Sequence, residues 1–296
     1  MSHRDLLTIN DFSDAEVRQI LARAATFKTG NVEKSLADKS VVFVFEKAST
    51  RTRIGFEVGV ARLGAHPVVL DTASSQIARG EPLKDTARIL AGYCDGIIMR
   101  TFGHDRIEEM AEWSDVPVIN ALTDLVHPCQ VLSDCFTLQE NFGDLAGKKV
   151  SWIGDGNNMA HSWINAAGKL GFELVLACPE GYDPDADILA AVPNAKVVRN
   201  IEEAVQGSIA VNTDVWASMG QEEDAAKRAE AFNGYQINSE LMQLAAPEAI
   251  FMHCLPAHRE EEVTEDVLEG KQSVVWEQAR NRLFVQEAVM EFLIKD

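Results

Sequence analysis

Short, unbroken apolar runs punctuate the chain. They fall at 41–45, 67–70, 96–99 and 116–119, and each is followed by a segment long enough for a helix. Because the runs are continuous and do not alternate with polar residues, they predict strands covered on both faces, as in a parallel sheet flanked by helices. A second series follows at 149–153, 173–177, 196–198, 209–212, 249–253 and 273–276. The alternation of strand and helix in both series predicts an α/β chain of two doubly wound domains, each with a mainly parallel sheet.

Helical periodicity fills the intervals. Val17, Ile20, Leu21, Ala24 and Phe27 form a stripe within 13–29, and Val131, Cys135, Leu138 and Phe142 form another in the segment that leads into "GDLAGKK". The boundary is placed there. Residues 1–140, joined by a terminal helix at 280–296, are read as one domain and 141–279 as the other.

Charge narrows the range of partners. With 27 Lys and Arg against 46 Asp and Glu among 296 residues, the formal charge is −19, which disfavours nucleic acid and anionic membrane surfaces as partners. An anionic ligand would have to be held in a local basic pocket. No run approaches the roughly 18 apolar residues of a membrane helix, and the first residues lack a signal peptide's pattern, so a cytoplasmic location is expected. Five cysteines without C-x-x-C spacing predict neither a disulfide framework nor a structural zinc site.

The candidate chemistry sits at predicted strand ends. In "FEKASTRTR" a strand gives way to a helix start, where Ser49, Thr50, Arg51 and Thr52 join free backbone N–H groups and the helix dipole. The cluster is rich in donors and poor in acceptors, as a phosphate requires. Arg53 falls about 200° round the helix from Arg51 and faces elsewhere. Arg100 ends the run "GIIMR", and His127 and Gln130 follow the next strand, which points to one basic pocket at the rim of one sheet. In the second series "IGDGNNMA" lacks the third glycine of a dinucleotide loop, and no acidic residue ends the next strand, so a nicotinamide cofactor is not expected. Asn157 and Asn158 are either ligand-holding amides or turn residues. Asp214, Ser218 and Met219 follow another strand and suit a cationic or zwitterionic ligand, while His253 and Cys254, as strand neighbours, point to opposite faces and make no dyad.

Together these stretches resemble the aspartate/ornithine carbamoyltransferase family. "STRTR" at 49–53 is similar to its carbamoyl-phosphate loop and "HPCQ" at 127–130 to its H-P-x-Q, while "DVWASMG" at 214–220 and "HCLP" at 253–256 are similar to motifs of its ornithine branch. The resemblance implies transfer of a carbamoyl group from carbamoyl phosphate to the δ-amine of L-ornithine, in a cleft between the domains, without cofactor or metal. Carried over, Ser49, Thr50, Arg51, Thr52, Gln76, Arg100, His127, Gln130 and Arg282 would bind carbamoyl phosphate. Asn158, Asp214, Ser218, Met219, Cys254 and Leu255 would bind ornithine, and Arg51, Arg100, His127, Gln130 and Cys254 would carry the chemistry. It also implies a homotrimer, or an assembly built on it, with Gln76 reaching a neighbour's site. Putrescine or an N-acylornithine is the alternative acceptor. Two positions depart from the family pattern: Ala48, where proline or serine is common, and Glu260, where glycine is common.

Overall fold

The computed structural model describes residues 3–72, 75–217 and 224–295. The chain divides into two compact units, one of residues up to Phe136 together with those from Asn281 onward, the other Thr137–Arg280. Both crossings lie inside helices.

The first unit is built on a parallel four-stranded sheet of β1 (Ser40–Phe45), β2 (His66–Asp71), β3 (Gly96–Arg100) and β4 (Val118–Leu122), in the order β2-β1-β3-β4. Its helices are α1 (Asp14–Lys28), α2 (Arg51–Arg62), α3 (Leu83–Ala91), α4 (His104–Glu112) and the start of α5 (Pro128–Phe142). β1 and β3 are central and apolar on both faces. On one face Val42, Val44, Ile97 and Met99 pack against Leu83 and Ala87 of α3 and Ile107 and Met110 of α4, each large side chain contributing about 1.5–3 kcal/mol by burial. β4 begins later than its apolar run because Pro117 has no N–H to give the ladder.

The second unit carries β5 (Lys149–Ile153), β6 (Glu173–Ala177), β7 (Ala195–Val198), β8 (Ala210–Thr213) and β9 (Ile250–His253), all parallel in the order β7-β6-β5-β8-β9. Its helices are α6 (Asn158–Leu170), α7 (Ala186–Ala190), α8 (Ile201–Val205), α9 (Ala225–Ala231), α10 (Ser239–Met242) and α11 (Glu265–Leu268), followed by the start of α12 (Val275–Ile294). The run at 273–276 is not a sixth strand. Ser273 makes a single bridge to Phe251 and the chain enters α12 two residues later, since an apolar run as short as 274–276 fits a helix start as well as a strand.

Within the first unit α2 lies close against the end of α12. A Cβ on Gly55 would fall 2.4 Å from Gln286 Oε1, and one on Gly59 would fall 3.3 Å from Glu287 Cγ. Glu287 is fully buried and pairs with Arg62 at 2.6 Å. Burial pushes its carboxyl up from 4.5 to about 7, against the opposing pull of Arg62. The folded chain therefore keeps a proton that the unfolded chain has already lost, so this contribution to stability is complete below about 4.5 and disappears as pH rises through about 7. Urea midpoints measured from about pH 5 to about pH 8 should fall with pH in the unmodified chain and flatten in Glu287→Gln.

Candidate active site

Each sheet reverses its strand order once. From β1 the chain moves outward to β2 and then returns to place β3 on the other side of β1; from β5 it moves outward to β6 and β7 and returns to place β8 beside β5. Connections leaving the carboxyl ends of β1 and β3, and of β5 and β8, diverge, and such switch points hold the ligand crevices of open α/β sheets. Most of the sequence-predicted residues that the structure describes fall at these two places.

At the first, Arg100 ends β3 and Ser49 and Thr50 lead from β1 into α2. Thr50 occupies the N-cap position without a side-chain cap, so its hydroxyl is not spent on the helix. Arg51 is exposed at the first turn, Thr52 is buried beneath it, and Arg282 Nη2 donates to Thr52 Oγ1 at 2.6 Å. Arg53 faces solvent and pairs with Glu57 at 2.6 Å. His127 and Gln130 open α5, both buried. Burial, with Arg282 and then Arg100 nearby, drives the His127 imidazole well below its ordinary range. His127 therefore stands neutral, with one ring nitrogen that can donate a hydrogen bond and one that can accept. Gln130 Nε2 donates to Asp134 Oδ1 at 2.7 Å. Its carbonyl oxygen is buried with no partner among the described residues, and it can accept from an N–H.

Three supports here escaped the sequence reading. Glu46 takes Arg106 Nε at 3.1 Å and Nη2 at 2.5 Å, and also the Thr101 hydroxyl, which pins the end of β1 to that of β3. Lys47 is buried, paired with Asp124 and 4.4 Å above the Phe102 ring. Asp134 orients the Gln130 amide. Only the last was visible in principle, since a carboxylate four residues after Gln130 on a helix shares its face. Gln76 stands apart, exposed beyond the edge strand β2, where its carbonyl closes a short 3₁₀ turn.

At the second switch point Gly154 (φ +138) and Gly156 carry the chain from β5 to α6. Asn157 is the helix cap: its Oδ1 accepts from Met159 and Ala160 N–H at 2.9 and 3.2 Å, and its Nδ2 donates to Asp214 Oδ2 at 3.2 Å. That settles Asn157 as a turn residue, with Asn158 the first residue of α6 beside it. Asp214, nearly buried, also accepts from Val215 N–H at 2.8 Å and from Cys254 Sγ at 3.2 Å. Arg228, stacked 4.8 Å from Tyr182, donates to the Trp216 carbonyl and to Asp155, which ties down the start of the loop after Asp214. Ser218 and Met219 lie outside the described residues. Donor atoms of Asp214, His253 and Cys254 come within 4.8 Å of one another. Both nitrogens of His253 are already engaged, however, with Leu255 N–H and Glu262, so the trio offers a metal no vacant imidazole.

The two departures from the family pattern have different weight. Ala48 is exposed, and nothing in the structure attaches a consequence to it. Glu260 has φ +67, the left-handed region that favours glycine, and its Oε1 accepts from Glu265 N–H at 3.0 Å. The side chain returns at the start of α11 part of what the backbone loses.

Residues 4–140 match the family described as "Aspartate/ornithine carbamoyltransferase, carbamoyl-P binding domain", and 146–293 match its "Asp/Orn binding domain". The chain is 50% identical over 301 residues, 99% of each chain, to the ornithine carbamoyltransferase of Geobacter sulfurreducens. Its structure is similar to ornithine carbamoyltransferase from Pyrococcus furiosus, with a TM-score of 0.95 and 43% identity over 99% of this chain and 97% of that one. It is also similar to an anabolic ornithine carbamoyltransferase from Campylobacter jejuni, with a TM-score of 0.92 and 40% identity over 99% of each.

The β5–α6 loop is held by close backbone approach. A Cβ on Gly156 would lie 2.1 Å from Pro184 N and 2.3 Å from the Asp183 carbonyl carbon, atoms that cannot swing aside. Gly156→Ala should lower unfolding free energy by about 1–3 kcal/mol, read as a shift in urea midpoint at unchanged slope.

Proposed function

Because the chain belongs to the aspartate/ornithine carbamoyltransferase family, we propose that it transfers the carbamoyl group of carbamoyl phosphate to the δ-amine of L-ornithine, giving L-citrulline and phosphate. The observation that carries this reading is the cluster at the first switch point: buried Thr52, Arg100, His127 and Arg282 beneath the exposed Arg51, together with the buried acceptor Gln130 Oε1. Such a set matches a ligand with many anionic oxygens and one amide N–H₂.

Ser49, Thr50, Arg51 and Thr52 bind the phosphate at the start of α2, where the helix dipole adds to the arginine's charge. Arg282 holds Thr52 from behind. Arg100 and neutral His127 donate to the carbamoyl oxygen, and Gln130 Oε1 accepts from the carbamoyl nitrogen. Asn158, Asp214, Ser218 and Met219 bind the amino-acid end of ornithine, and Cys254 and Leu255 line the δ-amine. When the neutral amine attacks the carbonyl carbon, charge grows on the carbonyl oxygen and then on the departing phosphate. Donors already fixed in place stabilise both without reorganising. The departing phosphate accepts the amine proton, so no residue of the chain need change charge. Cys254 is held by Asp214 and acts by contact with the amine; no covalent intermediate is needed.

The same site serves citrulline synthesis for arginine biosynthesis and, run backwards, citrulline phosphorolysis. The absence of any helix long and apolar enough to cross a membrane among the described residues, with the acidic balance, supports a cytoplasmic location. A homotrimer is supported by the exposed apolar side chains of the first unit, Ile54 (56%), Val58 (42%), Val68 (37%) and Val69 (40%), on α2 and the edge strand β2. Gln76 follows that strand and completes a neighbour's carbamoyl-phosphate pocket.

Three measurements test the proposal. With a panel of amines and a colorimetric ureido assay, ornithine should give a higher kcat/KM than putrescine or N-acetylornithine; the reverse order sinks the assignment. Arg51→Ala should lower kcat at least about 10²-fold with an unchanged circular dichroism spectrum, and near-normal turnover would remove the loop from the phosphate site. Light scattering should give a mass three times the 32.5 kDa chain.

A further inference from the structure

His253 and Glu262 form a buried pair that the chemistry above does not use. We infer that this pair is a positioning device, which sets the backbone at Cys254 and Leu255 for the acceptor amine; the inference rests on the proposed role of those two residues.

The starting observation is strain. Leu255 has φ +58, a region that costs a residue bearing a Cβ roughly 1–2 kcal/mol, so something must hold it. His253 does. Its Nδ1 lies 2.9 Å from Leu255 N and can only be the acceptor of that N–H. The ring proton is therefore on Nε2, 3.0 Å from Glu262 Oε1, to which it donates. The side chains of His253 and Glu262 are fully buried. The same Glu262 oxygen accepts from His258 N–H at 2.7 Å, so one carboxylate fixes both the imidazole and the far side of the 254–262 loop. Outside the loop, His253 N–H donates to Gln278 Oε1 at 3.0 Å and Glu262 O accepts from Ile237 N–H at 2.9 Å.

A buried carboxylate is an expensive way to fill space, and apolar side chains of the same volume often stabilise a fold better. What an apolar pair cannot do is choose a tautomer. Glu262 selects the imidazole form whose Nδ1 is bare, and only that form accepts from Leu255. Without it the strained backbone has no reason to stay at φ +58, and the neighbouring Cys254 thiol, 3.2 Å from Asp214 Oδ1, loses its anchor on the strand side. His253 and Glu262 touch no substrate in this scheme; they act through Cys254 and Leu255.

Two substitutions separate the jobs of the ring. Asn at 253 places Oδ1 where Nδ1 stands, which keeps the acceptor for Leu255 N–H but falls short of Glu262. Gln at 253 reaches Glu262 with an amide N–H and leaves no acceptor near Leu255. In the full-length chain, His253→Gln should lower kcat/KM for ornithine about 10²-fold, the usual cost of an ångström-scale misplacement. Binding of inorganic phosphate, followed by calorimetric titration, should be unchanged. His253→Asn should restore most of that rate although it lowers the urea midpoint, because Glu262 loses its donor. Amide hydrogen exchange supplies a readout independent of turnover: Leu255 should be protected in the unmodified and Asn chains and exchange fast in the Gln chain. Equal rates and equal Leu255 protection in the two variants would overturn the inference while leaving the assignment of function intact. An unmodified chain that makes no citrulline, yet shows this order of protection, would instead remove the functional reading and leave the loop device standing.

Discussion

A sheet in which every strand runs the same way has to reverse its order somewhere, and the reversal leaves a crevice at the carboxyl ends that no connection covers. Both sheets of this chain meet that constraint once, between β1 and β3 and between β5 and β8. The chemistry follows from what stands there. At the first reversal the chain buries cations close together, a costly arrangement unless an anion joins them. A neutral His127 is the visible consequence, since the imidazole gives up its proton where arginines already supply the charge. At the second reversal the sign changes: Asp214 gathers the amide of Asn157, the thiol of Cys254 and its own neighbour's N–H. A chain of net charge −19 thus concentrates positive charge in one pocket and sets a nearly buried carboxylate, Asp214, in the other.

The strands and their grouping into two parallel sheets were legible in the sequence because buried parallel strands write themselves as continuous apolar runs. The run at 273–276 misled for the same reason, three apolar residues after Ser273 being too few to carry a period. Strand-end residues such as Arg51, Arg100 and Asp214 were legible from their place after a run. Their supports were not. Glu46 meets Arg106 across 60 residues and Thr52 meets Arg282 across 230, and no local pattern reports a partner at such a distance. Glu262 was hidden in "HREEEV", where three adjacent glutamates look alike until the fold buries one of them.

Glycine and its replacements show how closely the loops are drawn. Gly156 leaves no room for a methyl group because backbone crosses within bond-like distance of where it would sit. Glu260 occupies a glycine-favouring conformation and offsets part of the cost by binding an N–H at the start of α11. Leu255 occupies another, and its support is the imidazole of His253. The second unit therefore holds two non-glycine residues at positive φ within a short loop, each secured by a different polar side chain, and the loop is shaped by these bonds more than by its own preferences.

The first unit is made of two pieces of sequence separated by the whole of the second, and α2 packs closely against α12. On a ribosome adding about 5–20 residues each second, the 230 residues between Thr52 and Arg282 take on the order of 10–50 s to appear. During that time the start of α2 is present without the residues of α12 that Gly55, Gly59 and Thr52 meet in the folded chain. The second unit, by contrast, is continuous and has all its strands once β9 has emerged. Translation therefore reverses the order of the chain: the later half is finished first, and the half that was made first waits for the terminus.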